Sequence, residues 1–249
     1  MGGGNHVADP PALSQLIVGA GALPRVWLRP PGYGMIAGRS KSAGLERRAT
    51  KQTMSGSRPD ARGFLARLVA SPCCAAITTE DRLDSALASR AEILFILRGN
   101  GLNLTPVVRQ IHEAGKLVAA HLDLIAGLRA DRAGIAWLGR SGVDAIISSH
   151  GQLMPAIRSE GMTAIQRLLL VRRSQLGTAL GAISHSAPDI LEVLPGVILP
   201  DVIHMMPRFG LPLLAGGFVR TEAEVRAIFA AGAVGVTTSW EPLWGLERG

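Results

Sequence analysis

The chain reads Leu213-Leu214-Ala215-Gly216-Gly217-Phe218 near its C-terminus and, after one helical stretch, Ala231-Gly232-Ala233-Val234-Gly235-Val236-Thr237-Thr238-Ser239. Each segment contains a short apolar run that ends in small residues. Between them, Thr221 and Glu224 form a capping box that predicts a helix start, and Gly232 predicts the helix end. The last two units of a (β/α)8 barrel build a phosphate site in this order, with backbone N–H groups around the anion.

Short apolar runs alternate with helical stretches from about residue 64 onward. The predicted strands are 73–77, 93–97, 117–122, 145–147, 163–169, 190–193, 213–215 and 234–237. The predicted helices are 80–89, 104–114, 132–141, 152–160, 174–186, 200–208 and 221–231. Eight such units predict a compact (β/α)8 TIM-like barrel of the α/β class. An open doubly wound sheet is the alternative, but even spacing and a terminal phosphate site favour closure.

The N-terminal segment differs from the rest of the chain in composition and charge. Residues 1–62 are rich in Gly, Pro, Ser and Arg, which predicts a poorly ordered extension ahead of a barrel over 63–249. The chain of 249 residues has a net charge of +7, and residues 1–70 contain 10 Lys and Arg against 3 Asp and Glu. The remaining residues contain 16 of each sign. Charge alone therefore does not indicate nucleic-acid binding by the barrel.

Cysteine content and hydropathy indicate the compartment. Cys73 and Cys74 are neighbours in a predicted strand, and two adjacent thiols make no disulfide framework, which favours a reducing compartment. No apolar run approaches the ~18 residues of a membrane span. The mildly apolar stretch 13–23 lacks a positively charged segment before it, which argues against a secretory signal. We expect a cytoplasmic protein with no membrane partner.

Ionisable residues occur where predicted strands end, which is the ligand-binding end of such a barrel. His121 and Asp123 follow the third strand and, two residues apart, are predicted to point to the same side. They form either a binding site or a local ion pair. Arg167 interrupts the fifth strand, where it either binds a phosphate or carboxylate or pairs with Glu192 of the sixth strand.

The absence of several well-known motifs argues against the classes of site that they form. The chain has no G-x-S-x-G elbow, no H-E-x-x-H, no C-x-x-C and no Walker A sequence. The adjacent cysteines lack zinc-ligand spacing. The sequence therefore predicts no metal site and no cofactor.

An ordered set of motifs resembles one family. His121-Leu122-Asp123-Leu124-Ile125-Ala126-Gly127 is similar to its His-(Val/Ile/Leu)-Asp-Leu-Ile-x-Gly, and Ile165-Gln166-Arg167 to its Ile-Gln-Arg. Further similar segments are Ala145-Ile146-Ile147-Ser148-Ser149, Pro188-Asp189, Glu192-Val193-Leu194-Pro195-Gly196, Ala215-Gly216-Gly217, Ala231-Gly232-Ala233, Thr237-Thr238-Ser239 and Leu243-Trp244. Together they resemble the glycerol-3-phosphate-responsive antiterminator family.

The resemblance implies a TIM-barrel-like regulator whose effector ligand is glycerol 3-phosphate. Liganded members bind the leader mRNA of glycerol-utilisation genes and prevent transcription termination. Gly216, Gly217, Thr238 and Ser239 would hold the phosphate, and the pocket would be lined by His121, Asp123, Arg167 and Glu192. We expect Arg172 and Arg173, the densest basic stretch of the barrel, to contact RNA.

Two other functions remain open on the sequence. One is a barrel enzyme that acts on a small phosphorylated substrate, with His121, Asp123 and Glu192 as acid and base. The other is a barrel that binds a phosphorylated metabolite and regulates through a protein partner. A basic surface favours RNA, whereas a closed pocket with paired carboxylates favours catalysis.

Overall fold

Eight parallel strands close into a barrel in the computed structural model, which describes residues 58–172, 181, 183–206 and 210–248. The strands β1 to β8 are Cys73–Ile77, Ile93–Ile96, Leu117–His121, Ala145–Ser148, Thr163–Leu169, Ile190–Leu194, Leu213–Gly216 and Gly235–Thr238. Strands that are consecutive in the sequence pair in parallel, and the parallel pairing of β1 with β8 closes the barrel. The predicted TIM-like barrel is confirmed, and the open sheet is excluded.

Helices cover the outside of the barrel between the strands. The helices α1 to α7 are Ala61–Ala70, Leu83–Ala88, Leu104–Glu113, Arg132–Arg140, Met154–Ser159, Leu199–Val202 and Glu222–Ala230. The predicted capping box of α7 is present: Glu224 N donates to Thr221 Oγ1 at 3.2 Å, and Thr221 N donates to the Glu224 carboxylate at 2.9 Å. Residues 183–186 are helical as predicted, and most of 174–182 lies outside the described residues.

Apolar side chains fill the inside of the barrel and α1 closes its amino end. The interior cluster contains fully buried residues from most strands, among them Phe95, Ala119, Ile147, Ile165, Ile190 and Leu214. Phe64 and Leu68 of α1 are fully buried in the same cluster. Leu68 reaches the first residue of β8, Gly235, where an added Cβ would come within 2.6 Å of its Cδ1. The carboxyl end is therefore the end left for a ligand.

The folded part begins before the predicted boundary between residues 62 and 63. Helix α1 begins at Ala61, and Gly63 N donates to the side chain of its N-cap, Asp60, at 2.8 Å. Arg58 Nη2 donates to the Gly139 carbonyl at 2.6 Å. Residues 58–62 are therefore part of the barrel unit. Residues 1–57 of the predicted extension lie outside the described residues.

The adjacent cysteines lie in β1 as fully buried free thiols, as predicted. Burial raises the pKa of Cys73 to about 12 against the opposing charge of Arg248, so this thiol is unreactive at neutral pH. Across the described part of the chain, no helix has the length and apolar character needed to cross a bilayer.

Candidate functional site

The carboxyl end of the barrel interior carries polar side chains, whereas the interior below it is apolar. His121 is the last residue of β3, and Arg167, Glu192 and Thr237 lie near the ends of β5, β6 and β8. Side chains two apart on a strand share a face. The residues two positions earlier on β3, β5 and β6 belong to the interior cluster, and they are Ala119, Ile165 and Ile190. The four polar side chains therefore face into the barrel mouth.

Glu192 is the centre of this polar cluster and is completely buried. Arg167 Nε donates to its Oε2 at 2.7 Å, and Thr237 Oγ1 donates to its Oε1 at 3.1 Å. The sequence left open whether Arg167 pairs with Glu192, and the structure shows the pair. Nε is the only hydrogen-bonding group of Arg167 that has a partner within the described residues, so its two Nη groups can still donate to a ligand.

His121 is the residue of the cluster whose hydrogen-bonding groups most clearly indicate a binding site. Its side chain is almost fully buried, yet neither Nδ1 nor Nε2 has a hydrogen-bond partner among the described residues. Burial and, secondly, the charge of Arg167 lower the pKa of His121 from 6.5 to about 4, against the opposing effect of Asp123. At neutral pH the imidazole is uncharged and offers one donor and one acceptor. That combination matches a hydroxyl group better than an anion.

Asp123 braces the neighbouring loop and forms no ion pair with His121. Strand β3 ends at His121, and Leu122–Leu124 forms a 3-10 turn, so the alternation predicted for His121 and Asp123 stops there. The Asp123 carboxylate accepts hydrogen bonds from Ser148 Oγ at 2.6 Å and Ser149 N at 2.8 Å. These bonds hold the end of β4 beside the end of β3.

The two glycines of the β7–α7 loop are required by close packing and backbone geometry. Gly216 pairs in register with Thr237, and an added Cβ would collide with the Thr237 hydroxyl and lie 3.1 Å from Glu192 Oε1. Gly217 has φ +84°, which L side chains rarely adopt. A side chain at Gly216 would therefore disturb the Thr237–Glu192 contact, and one at Gly217 would press on Leu194, whose Cδ1 lies 3.1 Å from an added Cβ.

The Thr238 hydroxyl connects the β7 and β8 loops. It donates to the Val219 carbonyl at 2.7 Å and accepts from Trp240 N at 3.0 Å. Its proton is therefore already used, and Thr238 shapes the loops instead of offering that proton to a phosphate. The exposed Ser239 follows it. In the described part of the chain the amides of Gly217, Phe218 and Ser239 donate to no acceptor, which suits an anion.

The N-terminus of α7 is not open to a ligand. The Glu224 carboxylate accepts hydrogen bonds from Arg220 N at 2.8 Å and Thr221 N at 2.9 Å. These two bonds lower the pKa of Glu224, because they stabilise its charged form. The negative charge of Glu224 at this helix end disfavours an anion there, whereas the loop amides have no such charge beside them within the described residues.

Thr237 belongs to the polar cluster of the barrel mouth, although Thr238 and Ser239 were the residues predicted from the sequence to bind the ligand. The two threonines are adjacent on β8, so only one of them faces the interior. The strand register identifies Thr237 as the threonine that faces the interior. Thr237 lies opposite Gly216, and the absence of a side chain at Gly216 makes room for the Thr237 hydroxyl. Thr237 is 4% exposed and bonds to Glu192.

The predicted RNA-contacting pair is only partly described. Arg172 is exposed and follows β5 at the carboxyl end of the barrel. Arg173 lies outside the described residues.

A separate cavity of about 230 Å³ opens at the same end, beside β1 and β2. Its wall is apolar, with Ile77, Ile96 and Leu104, and its rim carries Glu80 and Arg98 among other polar groups. It does not include any of the predicted pocket residues. Among the residues the structure describes, no group of His, Cys, Asp and Glu could hold a metal ion.

Three relatives resemble this chain over most of their own length. The Escherichia coli (strain K12) protein YgcP is 30% identical over 178 residues, which is 71% of this chain and 93% of that protein. A glycerol uptake operon antiterminator regulatory protein from Listeria monocytogenes has 30% identity and a TM-score of 0.66, covering 70% of this chain and 94% of its own. A glycerol uptake operon antiterminator-related protein from Thermotoga maritima has 26% identity and a TM-score of 0.64, and the match covers 70% of this chain and 98% of that protein.

Two of these relatives are named as antiterminator or antiterminator-related proteins, and the enzymes that share the barrel are less similar in sequence. Aldolases also superpose on the chain, but at 11 to 16% identity they show the fold alone. The family model for the glycerol-3-phosphate responsive antiterminator matches residues 73–244, from β1 to the 3-10 turn after β8. This chain therefore belongs to the glycerol-3-phosphate responsive antiterminator family, a family of regulators and not of catalysts.

Proposed function

We propose that this chain is a cytoplasmic antiterminator that binds glycerol 3-phosphate at the barrel mouth and, when liganded, the leader mRNA of glycerol-utilisation genes. Glycerol 3-phosphate acts as its effector, and no other cofactor is needed. The observation that carries the proposal is the polar cluster of the mouth, in which the buried His121 has two nitrogens without partners. A buried polar group is rarely left unpaired unless a ligand completes it.

The chemistry of glycerol 3-phosphate fits the two parts of the mouth. The neutral His121 ring and the Nη groups of Arg167 face the interior, where they can bond hydroxyl groups of the glycerol moiety. The phosphate fits the loop amides at Gly217, Phe218 and Ser239, since backbone N–H groups bind anions without needing a positive charge. Thr237 and Glu192 hold Arg167 in place between these parts.

Calorimetric titration of the full-length chain with glycerol 3-phosphate tests the ligand directly. We expect saturable binding, weaker binding of inorganic phosphate and no measurable binding of glycerol alone. A His121→Leu variant keeps a buried side chain of similar size but removes both ring nitrogens, so its affinity should fall about tenfold or more. Failure of glycerol 3-phosphate to bind the wild type overturns the proposal.

The predicted RNA contact at Arg172 and Arg173 has its own test. An Arg172→Ala, Arg173→Ala variant should bind leader RNA more weakly and still bind glycerol 3-phosphate. Each lost phosphate contact should flatten the slope of log affinity against log salt by about one unit. The exposed Arg129→Ala change is the matched control, since that side chain is 90% exposed on a different loop. Unchanged RNA affinity in the double variant excludes this surface.

A further inference from the structure

Beside the phosphate loops, the structure assigns a base-stacking surface for single-stranded RNA to Phe218, Arg220 and Trp240. The inference rests on the proposed function and deepens it, because it names the groups that read the RNA and places them on the loops that bind the effector. Phe218 and Arg220 follow β7, and Trp240 follows β8.

Phe218 is held in a conformation that its own packing does not explain. It has φ +62°, one of two non-glycine residues with positive φ in the described segments, and its side chain is 77% exposed. A bulky residue in the left-handed region is strained, and an exposed aromatic ring loses the benefit of burial. Folding alone favours glycine here, so the ring needs a partner outside the barrel.

Trp240 presents a second aromatic face on the adjoining loop. Its side chain is 46% exposed, and the guanidinium of Arg220 lies 6.0 Å from its ring centroid. Its backbone N donates to Thr238 Oγ1, which also donates to Val219, the residue between Phe218 and Arg220. One hydroxyl therefore ties together the two loops that carry the aromatic rings.

Arg220 forms no salt bridge within the described residues, although acidic residues surround it and its charge is one of the lesser causes that lower the pKa of Glu224. Glu222 pairs with Arg226 at 3.0 Å, Glu241 pairs with Arg82, and Glu224 accepts from two backbone amides. Within the described residues Arg220 has no carboxylate partner. A guanidinium beside an exposed tryptophan ring, on the same loop as a second exposed aromatic residue, suits nucleic acid, which it can bind by stacking on bases and by contact with phosphates.

The occupant that fits this surface is an unpaired stretch of RNA. Proteins recognise single-stranded RNA by stacking splayed bases on aromatic rings and arginine planes. Residues 71–249 contain as many acidic as basic side chains, so the affinity must come from local groups of this kind. Because Phe218 directly follows Gly217 and Trp240 directly follows Ser239, a phosphate that orders these loops would also fix the positions of both rings.

Phe218→Gly and Trp240→Ala test the surface in the full-length chain with saturating glycerol 3-phosphate. Each variant should bind a glycerol-operon leader transcript about tenfold more weakly, as expected for one lost stacked base. Trp240→Phe should retain most of the affinity. Phe218→Gly should keep or slightly raise the melting temperature, because glycine accepts the positive φ. Leu102→Ala, at an 81% exposed residue of the β2–α3 connection, is the control and should change nothing.

A leader transcript with abasic nucleotides at its unpaired positions separates stacking from charge. The wild type should bind this transcript more weakly than the intact one, and Phe218→Gly should cause no further loss. Equal affinity of wild type and both aromatic variants for the intact leader overturns the assignment and leaves a protein partner for these rings. If the wild type binds glycerol 3-phosphate but no leader RNA, the proposed RNA function fails together with this inference.

Discussion

Buried ionisable side chains at the two ends of the barrel differ in how they are partnered, although one buried hydroxyl at the amino end, Thr163 Oγ1, also lacks a partner within the described residues. At the amino end, Lys116 Nζ donates to three carbonyls, those of Ala86, Ser89 and Ala91, at 3.1, 2.6 and 2.7 Å. Asp144 at the same end accepts from Val118 N at 2.8 Å and bonds to His112 Nε2 at 2.9 Å. At the carboxyl end, both nitrogens of His121 have no partner within the described residues.

We interpret this difference as one between residues that complete the fold and residues of the proposed effector site. A satisfied buried polar group stabilises the native state, whereas an unsatisfied one costs stability and persists where function needs it. In a (β/α)8 barrel the same division is general: the amino end serves stability and the carboxyl end carries the site. The comparison can be tested by removing polar groups from each end.

The largest expected change in the free energy of unfolding comes from a substitution at the amino end. Lys116→Met should leave two buried carbonyls and one partly buried carbonyl without their donor and lower the free energy of unfolding by about 4 kcal/mol. Chemical denaturation measures the loss. The matched change at the other end, His121→Leu, should raise the free energy of unfolding by about 1 kcal/mol while weakening ligand binding. A loss of stability from His121→Leu as large as that from Lys116→Met contradicts the comparison.

The second effect is a pH dependence that originates at His121. Its pKa is about 4 in the folded protein and 6.5 ordinarily, so the unfolded chain binds the proton more tightly. Stability is therefore complete above about pH 7 and falls as the pH drops through 6.5 toward 4, by about 3 kcal/mol in total. Denaturation of wild type and His121→Leu between pH 8 and pH 4 measures the difference. Parallel curves for the two proteins would show that His121 is not the source.

A third test compares two variants of the phosphate loop that differ only in charge. Asn and Asp at position 217 have the same shape, and both must accept the φ of +84° found for Gly217. Gly217→Asp adds a negative charge within the proposed phosphate loop, so it should weaken glycerol 3-phosphate binding roughly 30-fold more than Gly217→Asn. Calorimetry measures both affinities, and equal affinities would place the phosphate elsewhere.

The smallest expected change in stability comes from shortening the chain at the N-terminal boundary of the barrel. A chain that starts at Met54 should keep the melting temperature and ligand affinity of the full chain, since relatives consist almost entirely of the part that matches this barrel. A chain that starts at residue 63 loses the Asp60 cap of α1 and the Arg58 bond to Gly139. It should be less stable by about 1 kcal/mol. Equal melting temperatures for both truncations would show that these contacts contribute nothing.

The sequence predicts the barrel well because buried parallel strands are short apolar runs between helical periods. The span predicted for β5, residues 163–169, is the observed strand. Helix α1 was missed since Arg62, Gly63 and Arg67 resemble the composition of the segment before it. Its role becomes visible only when Phe64 and Leu68 reach the barrel interior.

The site is predicted less completely than the fold. The direction in which a side chain points depends on the residue at which its strand ends, and the sequence does not fix that residue. The sequence analysis placed His121, Arg167 and Glu192 at the mouth, and the structure brings these three together. It could not distinguish Thr237 from Thr238, since adjacent strand residues point to opposite faces. Nor could it show that Asp123 leaves the strand in a 3-10 turn to brace β4.

We propose that the polar cluster at the carboxyl end is an effector site that controls RNA binding. The most direct measurement is the affinity of the full-length chain for a glycerol-operon leader transcript as glycerol 3-phosphate is titrated. We expect the RNA dissociation constant to fall about tenfold or more at saturation, and RNA to tighten effector binding by the same factor. His121→Leu should need a correspondingly higher effector concentration. An RNA affinity of the wild type that is the same with and without glycerol 3-phosphate would contradict the account.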